Sequence, residues 1–471
     1  MHIREPARDL PVLGEYDVVV CGGGPAGCAA GVASARRGAR TLLVEREGFL
    51  GGATVAQLVV VVLSTNGVDF QGIWHEYARG LKERDGIREL TGAGSGQLRS
   101  SVDPETVKFV WDELLTEAGA EILHHAWAST CVVEDGRARG VIVETKAGRR
   151  AIRAKRVIDC TADGVVAAAS GVGWDQGDGE RPWAMALTKV FRMGGVTRPD
   201  DWPNAAAMAK LEADLTVAIE RGDYDAPVVV EKRRLLNYIR GWHWELPERR
   251  RETLSVISRV LEVDPLDPFD LTRAEREGRE QAWQAADFMR RYVPGMEDAH
   301  LLDTSAHIGV RSSRRLHGLA TVTSEDAWRF RKTPDEIARS SWNIDVWPAA
   351  SYSAPAVPYG EAEYKERIRR MRDEGEYFSI PYGCVVASGL DNLLMAGRCI
   401  SAEHEAEASL RIQQTCMATG QAAGTAAAMS IERDTTPREL DASAVAGRLR
   451  VDRDAVRPAF ECLEGLPVAD D

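Results

Sequence analysis

Tyr16 to Glu45 reads YDVVVCGGGPAGCAAGVASARRGARTLLVE, and the expected fold follows from it. Val18 to Val20 is a β-branched apolar run too short for a helix, which predicts a buried parallel strand. Gly22, Gly24 and Gly27 come next in G-x-G-x-x-G spacing. The first glycine permits a tight turn out of the strand, the second lets backbone approach a pyrophosphate, and the third lets the new helix pack close to the sheet. Pro25 and Ala26 open that helix, whose N–H groups and dipole favour phosphate. A second strand, Thr41 to Glu45, ends in an acid about 20 residues on, placed to accept hydrogen bonds from ribose hydroxyls. Strand, glycines, helix, strand and acid in that order predict a Rossmann-like dinucleotide-binding unit.

Beyond Glu45 and Arg46, Gly51 and Gly52 again remove side chains where backbone must come close to something. Directly after a ribose-binding strand, that something is expected to be the cofactor, with Ala53 and Thr54 alongside. From Asp103, an acid before Pro104 and apolar residues at Val107, Val110, Trp111, Leu114 and Leu115 predict an amphipathic helix closed by Gly119. Three β-like runs follow, with turns at Asp135-Gly136 and near Gly148. They predict an antiparallel meander whose last run, Arg156 to Cys160, rejoins the parallel sheet.

Residues 171–380 differ in composition. Nine of the 12 tryptophans lie there: Trp174, Trp183, Trp202, Trp242, Trp244, Trp283, Trp328, Trp342 and Trp347. We read this stretch as an inserted α+β substrate domain, in which tryptophan lines an aromatic cavity or fills core. Within it, His307, Arg311, Arg314, Arg315 and His317 crowd together; on a strand, Arg311 and Arg315 would share a face with His307 and form a cationic pocket. Residues 381–430 return to the opening style. An apolar strand, Asn392 to Ala396, ends at Gly397, a loop carries His404, and a helix from about Thr415 shows a small-residue surface (Ala418, Gly420, Ala422, Gly424) able to approach a backbone or a cofactor ring. Residues 431–471 read as a helical tail, and residues 1–170 complete the first part of the cofactor domain.

The chain has 471 residues, which favours two joined domains, and a net charge of -13 with no basic stripe, which excludes a general nucleic-acid partner. The longest apolar run, Leu58 to Leu63, predicts no membrane span, and the start MHIREPARDL lacks a signal-peptide core, so a cytoplasmic location is expected. Eight cysteines show no metal or iron-sulfur spacing, so no metal is expected. The glycine run Gly92, Gly94, Gly96 lacks a preceding strand and reads as a loop. No oligomeric state is set, and a homo-oligomer is consistent with the sequence.

The segments VVVCGGGPAGCAAGVASARRGARTLLVEREGFLGGATVAQLV, RVIDCTADGVVAAASG, IGVRSSRRLHG and IPYGCVVASGLDNLLMAGRCISAEHEAEASLRIQQTCMATGQAAGTAAA resemble the FAD-dependent oxidoreductase family related to the fumarate reductase and succinate dehydrogenase flavoproteins. The resemblance implies bound FAD. Gly22, Gly24, Gly27 and Glu45 would hold its ADP half, and Gly51 and Gly52 would lie by pyrophosphate or flavin. Thr161, Ala162, Asp163 and Gly164 would lie near the cofactor, and Gly397, Arg398, Gln414, Thr415, Cys416 and Met417 at the ribityl and isoalloxazine end. Ala162 departs from the family's usual glycine.

No second strand-glycine-helix unit supplies a nicotinamide site. The expected reaction is hydride transfer from a small organic substrate, aromatic or carboxylate-bearing, to flavin N5, with oxygen, a quinone or a protein as electron acceptor. His404, flanked by Glu403 and Glu405 that would raise its basicity or orient it, is the expected base, and Arg411 and Arg311 the carboxylate anchors. Alternatives are a flavin-dependent reductase of an activated double bond and an FAD-carrying electron-transfer subunit.

Overall fold

The computed structural model describes residues 3, 7–89, 98–197, 199, 201–231, 235–236, 239, 251–351 and 360–456. Gly92, Gly94, Gly96, Trp242, Trp244 and Cys462 lie outside them.

Strand β1 (Val12–Cys21) runs into helix α1 (Pro25–Arg36) and strand β2 (Thr41–Val44). The strand begins ahead of the expected run Val18 to Val20, because Val12 and Glu15 already pair with Ala151 and Arg153. Helix α2 (Pro104–Ala118) is capped by Asp103, whose carboxylate accepts from the N–H groups of Glu105 and Thr106, and is closed by Gly119 at φ 83°. All five of its expected apolar residues are buried. Then come β3 (Glu121–Leu123), β4 (Ala126–Glu134), β5 (Arg137–Thr145) and β6 (Gly148–Asp159). Asp135 and Gly136, at φ 49° and 71°, make the β4–β5 turn in the left-handed conformation that matches strand twist.

The main sheet has the order β3-β2-β1-β6-β5-β4. β3, β2, β1 and β6 pair in parallel, whereas β6, β5 and β4 form the antiparallel meander. β6 belongs to both: residues 148–153 pair with β5, and Val157 to Asp159 pair in parallel with β7 (Leu393–Met395), which returns some 230 residues later along the chain. Alternation along the strands feeds two cores. Val18, Val20, Leu43 and Ile158 point to the helix side, and Val19, Leu42, Val44 and Val157 to the meander side.

On the helix side α1 lies against α5 (Gln413–Glu432), which follows α4 (His404–Leu410). A Cβ added at Gly420 would stand 2.0 Å from the Ala26 carbonyl oxygen, and one at Gly424 2.3 Å from that of Ala30. The small-residue surface therefore serves backbone contact with α1.

The middle of the chain builds a separate three-stranded antiparallel sheet from Phe191–Gly194, flanked by Glu252–Ser255 and His300–Thr304. It packs with helix Ala205–Glu220 and the 25-residue helix α3 (Pro268–Tyr292) around Phe191, Met193, Leu215 and Phe288. Val322, Ile337, Phe378 and Ile380 pack in the cluster that contains α1 and α5. Part of the expected substrate domain thus shares a core with the FAD-binding segments, and the division into FAD-binding 1–170, substrate 171–380, return 381–430 and tail 431–471 stands as a proposal. The tail carries helix Ala442–Val456, which buries Val445 and Leu449 on the same cluster.

Candidate functional site

The glycine turn between β1 and α1 is built as its spacing requires. Gly22 adopts φ 103°, and a Cβ at Gly27 would stand 1.8 Å from the Gly22 carbonyl oxygen, so neither position admits a side chain. Across the turn, a Cβ at Gly52 (φ 49°) would come within 2.7 Å of Gly24 Cα. At Gly24 itself an added Cβ would meet only Gly52 Cα, at 3.8 Å, so this face of the turn is open. The α1 N-terminus has Pro25 at its first position and no side-chain cap, which leaves its N–H groups to an external acceptor. Glu45 sits 7% exposed at the end of β2, where its carboxylate accepts from Gly23 N–H at 2.5 Å and Glu47 N–H at 2.8 Å. Two backbone donors leave the carboxylate lone pairs for hydroxyl donors.

Gly397 joins this region to the far end of the site. It has φ 82°, donates its N–H to Thr419 Oγ1, and a Cβ there would lie 3.0 Å from Ala26 Cβ and 4.0 Å from Cys416 Sγ. The α1 N-terminus, Gly397 and the first turns of α5 thus meet. α5 begins at Gln413, two residues before the expected start, and Ile412 gives it no side-chain cap. Thr54 Oγ1 donates to Gln413 Oε1 at 2.7 Å, tying the segment after Gly52 and Ala53 to α5. Thr415 and Met417 are buried, and burial pushes the Cys416 thiol up to about 12.

Several expected contacts are redirected. Gln414 turns from the cofactor end: its Nε2 donates to the Leu63 carbonyl at 2.5 Å and to Asp69 Oδ2 at 3.1 Å. Asp69 is fully buried, and burial raises its carboxyl to about 6 against the hydrogen bonds from Ser64 and Gln414. Thr161 donates N–H and Oγ1 to Asp159, so it serves the buried end of β6. Ala162 occupies the left-handed region at φ 65°, where the resemblance expects glycine, and Gly164 follows at φ 60°. Asp163 and Arg398 pair at 2.6 Å with Ser313 bonded to both; burial would raise the Asp163 carboxyl, but the Arg398 charge and these hydrogen bonds hold it below its usual range. The Arg46 guanidinium also acts on Asp163 and stacks over Trp127 at 5.1 Å.

The expected cationic pocket is not formed as one face, because only Arg314–Leu316 of that stretch is a strand. His307 Nε2 contacts Glu47 at 2.8 Å, and His317 contacts Asp175 at 3.2 Å. Arg311 donates to the Ala186 carbonyl and Thr188 Oγ1 and lies 4.0 Å from the Trp347 ring centroid. Arg411 donates to the Asp345 carbonyl and carboxylate at 2.8 and 3.1 Å. Among the described residues the tryptophans do not gather around one cavity: Trp202 is buried among the middle helices, Trp283 is 63% exposed, and Trp328 and Trp347 flank Met185, Ile344 and Ala408.

His404 differs most from expectation. It is the first residue of α4; Glu403 accepts from Ser324 N–H and Glu405 from Ser324 Oγ, and the Glu405 charge raises the imidazole as expected but is outweighed. Burial, then the Arg315 charge, push the imidazole down to about 4, opposite to the expected rise in basicity, and Nδ1 is buried with no partner. One helical turn on stands Glu407, unmarked by any sequence motif. It is 1% exposed, accepts from Ser312 Oγ at 2.6 Å and faces Arg315 at 3.6 Å.

Among the described residues, no helix is long and apolar enough to cross a membrane, no three His, Cys, Asp or Glu side chains gather as a metal site, and all seven cysteines are free and buried.

A family model described as FAD dependent oxidoreductase matches residues 17–449. Digeranylgeranylglycerophospholipid reductase 2 of Methanopyrus kandleri is 31% identical over 200 residues, 40% of this chain and 47% of that protein. Dihydrolipoyl dehydrogenase of Trypanosoma brucei brucei is 49% identical over 45 residues, 10% of this chain and 9% of that one. The chain thus spans about half the length of the first curated relative and a tenth of the second. Among solved structures, a geranylgeranyl bacteriochlorophyll reductase-like protein of Thermoplasma acidophilum aligns with TM-score 0.41 at 12% identity, covering 94% of this chain and 84% of that one. The flavin-dependent brominase Bmp2 aligns with TM-score 0.44 at 12% identity, covering 94% and 85%.

Proposed function

We propose, for a chain that belongs to the FAD-dependent oxidoreductase family, that it oxidises a small carboxylate-bearing organic molecule at the junction of α4, α5 and Gly397. FAD is its cofactor, and the residues present fit that group: the open face at Gly24, the uncapped α1 and the Glu45 carboxylate suit pyrophosphate and ribose. Gly22, Gly24, Gly27, Pro25, Ala26 and Glu45 would hold the ADP half, flanked by Arg46, Gly51, Gly52, Ala53 and Thr54. Asp163, Gly164, Gly397, Arg398 and the α5 turn from Thr415 to Met417 would border the flavin half. When bound, FAD supplies the two-electron chemistry by accepting hydride at N5.

One observation supports the substrate assignment most. Arg315, Arg398 and Arg411 all act on the buried Glu407 carboxyl, beside the apolar wall of Met185, Ile344 and Ala408. Such a setting excludes water from an anion while giving it counter-charge. Arg311 and Arg411 would shape it indirectly, by fixing Trp347 and Asp345. His404 is neutral at pH 7, and its unpartnered Nδ1 would take the substrate proton. A carboxylate opposite Arg315 would offset one of the three causes that depress His404, which are burial and the Arg315 and Arg411 charges, so its basicity would rise when substrate arrives.

We further infer kinship to the fumarate reductase flavoproteins from RVIDCTADGVVAAASG and the segment around His404. A second reading, reduction of an activated double bond, is favoured by the naming of the Methanopyrus relative as a reductase. Anaerobic mixing of the holoenzyme with a panel of donors tests both. Bleaching of the flavin by a carboxylate-bearing donor supports oxidation. A flavin that no donor bleaches, but that an unsaturated acceptor reoxidises after chemical reduction, overturns it for the second.

A further inference from the structure

Within α4 and its C-cap, His404, Glu407 and Arg411 are spaced i, i+3 and i+7 and so share one helix face. Arg315, on the strand Arg314–Leu316, faces them. Burial of such groups is costly unless each polar atom finds a partner. Here the partners are missing. Arg315 is 6% exposed with Nε and Nη1 unbonded, and Glu407 is 1% exposed with Oε1 unbonded. Their mutual distance of 3.6 Å is too long for a hydrogen bond. His404 Nδ1 and Arg411 Nε are also buried without a partner. The Arg315 and Arg411 charges each act on both His404 and Glu407.

The cluster differs from the ion pairs beside it. Asp163 binds Arg398 and Ser313 with short hydrogen bonds, and Arg411 Nη2 donates to the Asp345 carbonyl and carboxylate, although its Nε stays unbonded. Arg315 and Glu407 instead stand apart, with unused donors and an unused acceptor. A guanidinium with free N–H groups suits a carboxylate, and a free carboxylate oxygen suits a hydroxyl or ammonium donor.

We infer that Arg315 and Glu407 are the substrate-recognition pair of this enzyme, Arg315 binding a carboxylate and Glu407 Oε1 accepting a hydrogen bond from a hydroxyl on the adjacent carbon. The substrate class is thus a small 2-hydroxy carboxylate. The inference rests on the proposed function, in that it takes this cluster to be the substrate side of the flavin.

Binding is measured without turnover, by titrating oxidised holoenzyme with glycolate, acetate and glycolamide and following the perturbation of flavin absorption. The expected order is glycolate tighter than acetate, with glycolamide at least roughly tenfold weaker than glycolate. Arg315→Met is expected to abolish the glycolate response at unchanged FAD content, and Arg315→Lys to restore part of it. Glu407→Gln is expected to bring glycolate down to acetate. If Arg315→Met loses FAD, the Arg315→Lys and Glu407→Gln proteins carry the test. Equal binding of glycolate and glycolamide, or glycolate affinity unchanged in both Arg315→Lys and Glu407→Gln, overturns the inference. Donor reduction is scored separately. An enzyme bleached only by uncharged donors and blind to glycolate sinks this inference while remaining an oxidase or dehydrogenase. One that binds glycolate as expected but is bleached by no donor keeps the recognition pair and loses the oxidation reading.

Discussion

Replacing Gly420 or Gly424 by alanine tests whether α5 is held against α1 by backbone contact. The added Cβ would stand 2.0 Å from the Ala26 oxygen, or 2.3 Å from that of Ala30. Relief to an ordinary contact of 3.4 Å requires the atoms to part by 1.4 Å at Gly420 (3.4 − 2.0) or 1.1 Å at Gly424 (3.4 − 2.3), and a gap of about 1 Å already forfeits a quarter to a half of the dispersion well for atoms along the seam. Helix propensity opposes the loss with a gain of about 1 kcal/mol. Overpacking costs of about 1–3 kcal/mol are usual, and rigid backbone on both sides puts this contact at the upper end. We expect each variant to be destabilised by about 2 kcal/mol net. The double variant should lose less than twice that, because the first methyl already parts the helices for the second. Gly447 is the control: nothing lies within 4 Å of its added Cβ, so Gly447→Ala should gain about 0.5–1 kcal/mol. Thermal unfolding with FAD fluorescence reads stability and cofactor release together. A Gly420→Ala protein as stable as its Gly447→Ala counterpart, with FAD retained, would refute the reasoning.

Three further outcomes follow from single residues. Glu45→Gln removes a charged acceptor from Gly23 N–H and from the ribose side, and FAD affinity measured by ultrafiltration should fall by roughly 10- to 100-fold, as expected for a charge-assisted bond. Ala162→Gly relieves a left-handed alanine that costs about 1–2 kcal/mol, less about 0.5–1 kcal/mol for a more flexible unfolded chain, so the melting temperature should rise slightly; a fall would contradict the strain. Asp69 has its folded pKa raised from 3.8 to about 6 by burial, so its ionisation penalty is absent below pH 4, grows between pH 4 and 6 and is constant above. Asp69→Asn should therefore stabilise the holoenzyme by on the order of 1–3 kcal/mol at pH 8 and by nothing near pH 4 in urea titrations, and a gain of equal size at both pH values would rule out the ionisation argument.

What the sequence made legible was what local chemistry decides. The β1-turn-α1-β2 unit, the Asp103 and Gly119 caps and the Asp135-Gly136 turn each depend on neighbours within a few residues, and each forms as read. The apolar strand ending at Gly397 was legible from its run of residues, whereas its parallel pairing with β6 emerges only from the structure, since the partner lies far away along the chain. Charged side chains were not legible, since their partners come from distant segments. Glu403 and Glu405 flank His404 in sequence, yet both serve Ser324, some 80 residues earlier along the chain. Arg311 and Arg315 would share a face on a strand, but the backbone is extended in that way only from Arg314 to Leu316. Glu407 carried a signal that could have been used: the spacing of His404, Glu407 and Arg411 places three polar side chains on one face of a helix whose remaining positions are mostly alanine, serine and leucine. A polar stripe on a helix lying between two apolar segments is more informative than any one histidine in it.

The same reasoning explains why the charges cluster where they do. Isolated ions in a protein interior cost several kcal/mol each, and ion pairs recover that only with good geometry. Arg398 with Asp163 and Arg411 with Asp345 meet that condition and hold the two sides of the junction, one to the loop after β6 and one to the segment near Trp347. Arg315 with Glu407 does not, at 3.6 Å and with three unbonded polar atoms between them. If the region served stability alone, apolar residues of similar volume would do as well or better there. A pair that makes no hydrogen bond to one another, beside two that do, is what a fold retains when the missing hydrogen bonds are to be made by something that arrives and leaves. The double replacement Arg315→Met with Glu407→Leu should then hold or raise the unfolding temperature while abolishing the glycolate response, whereas a large loss of stability would make the pair structural.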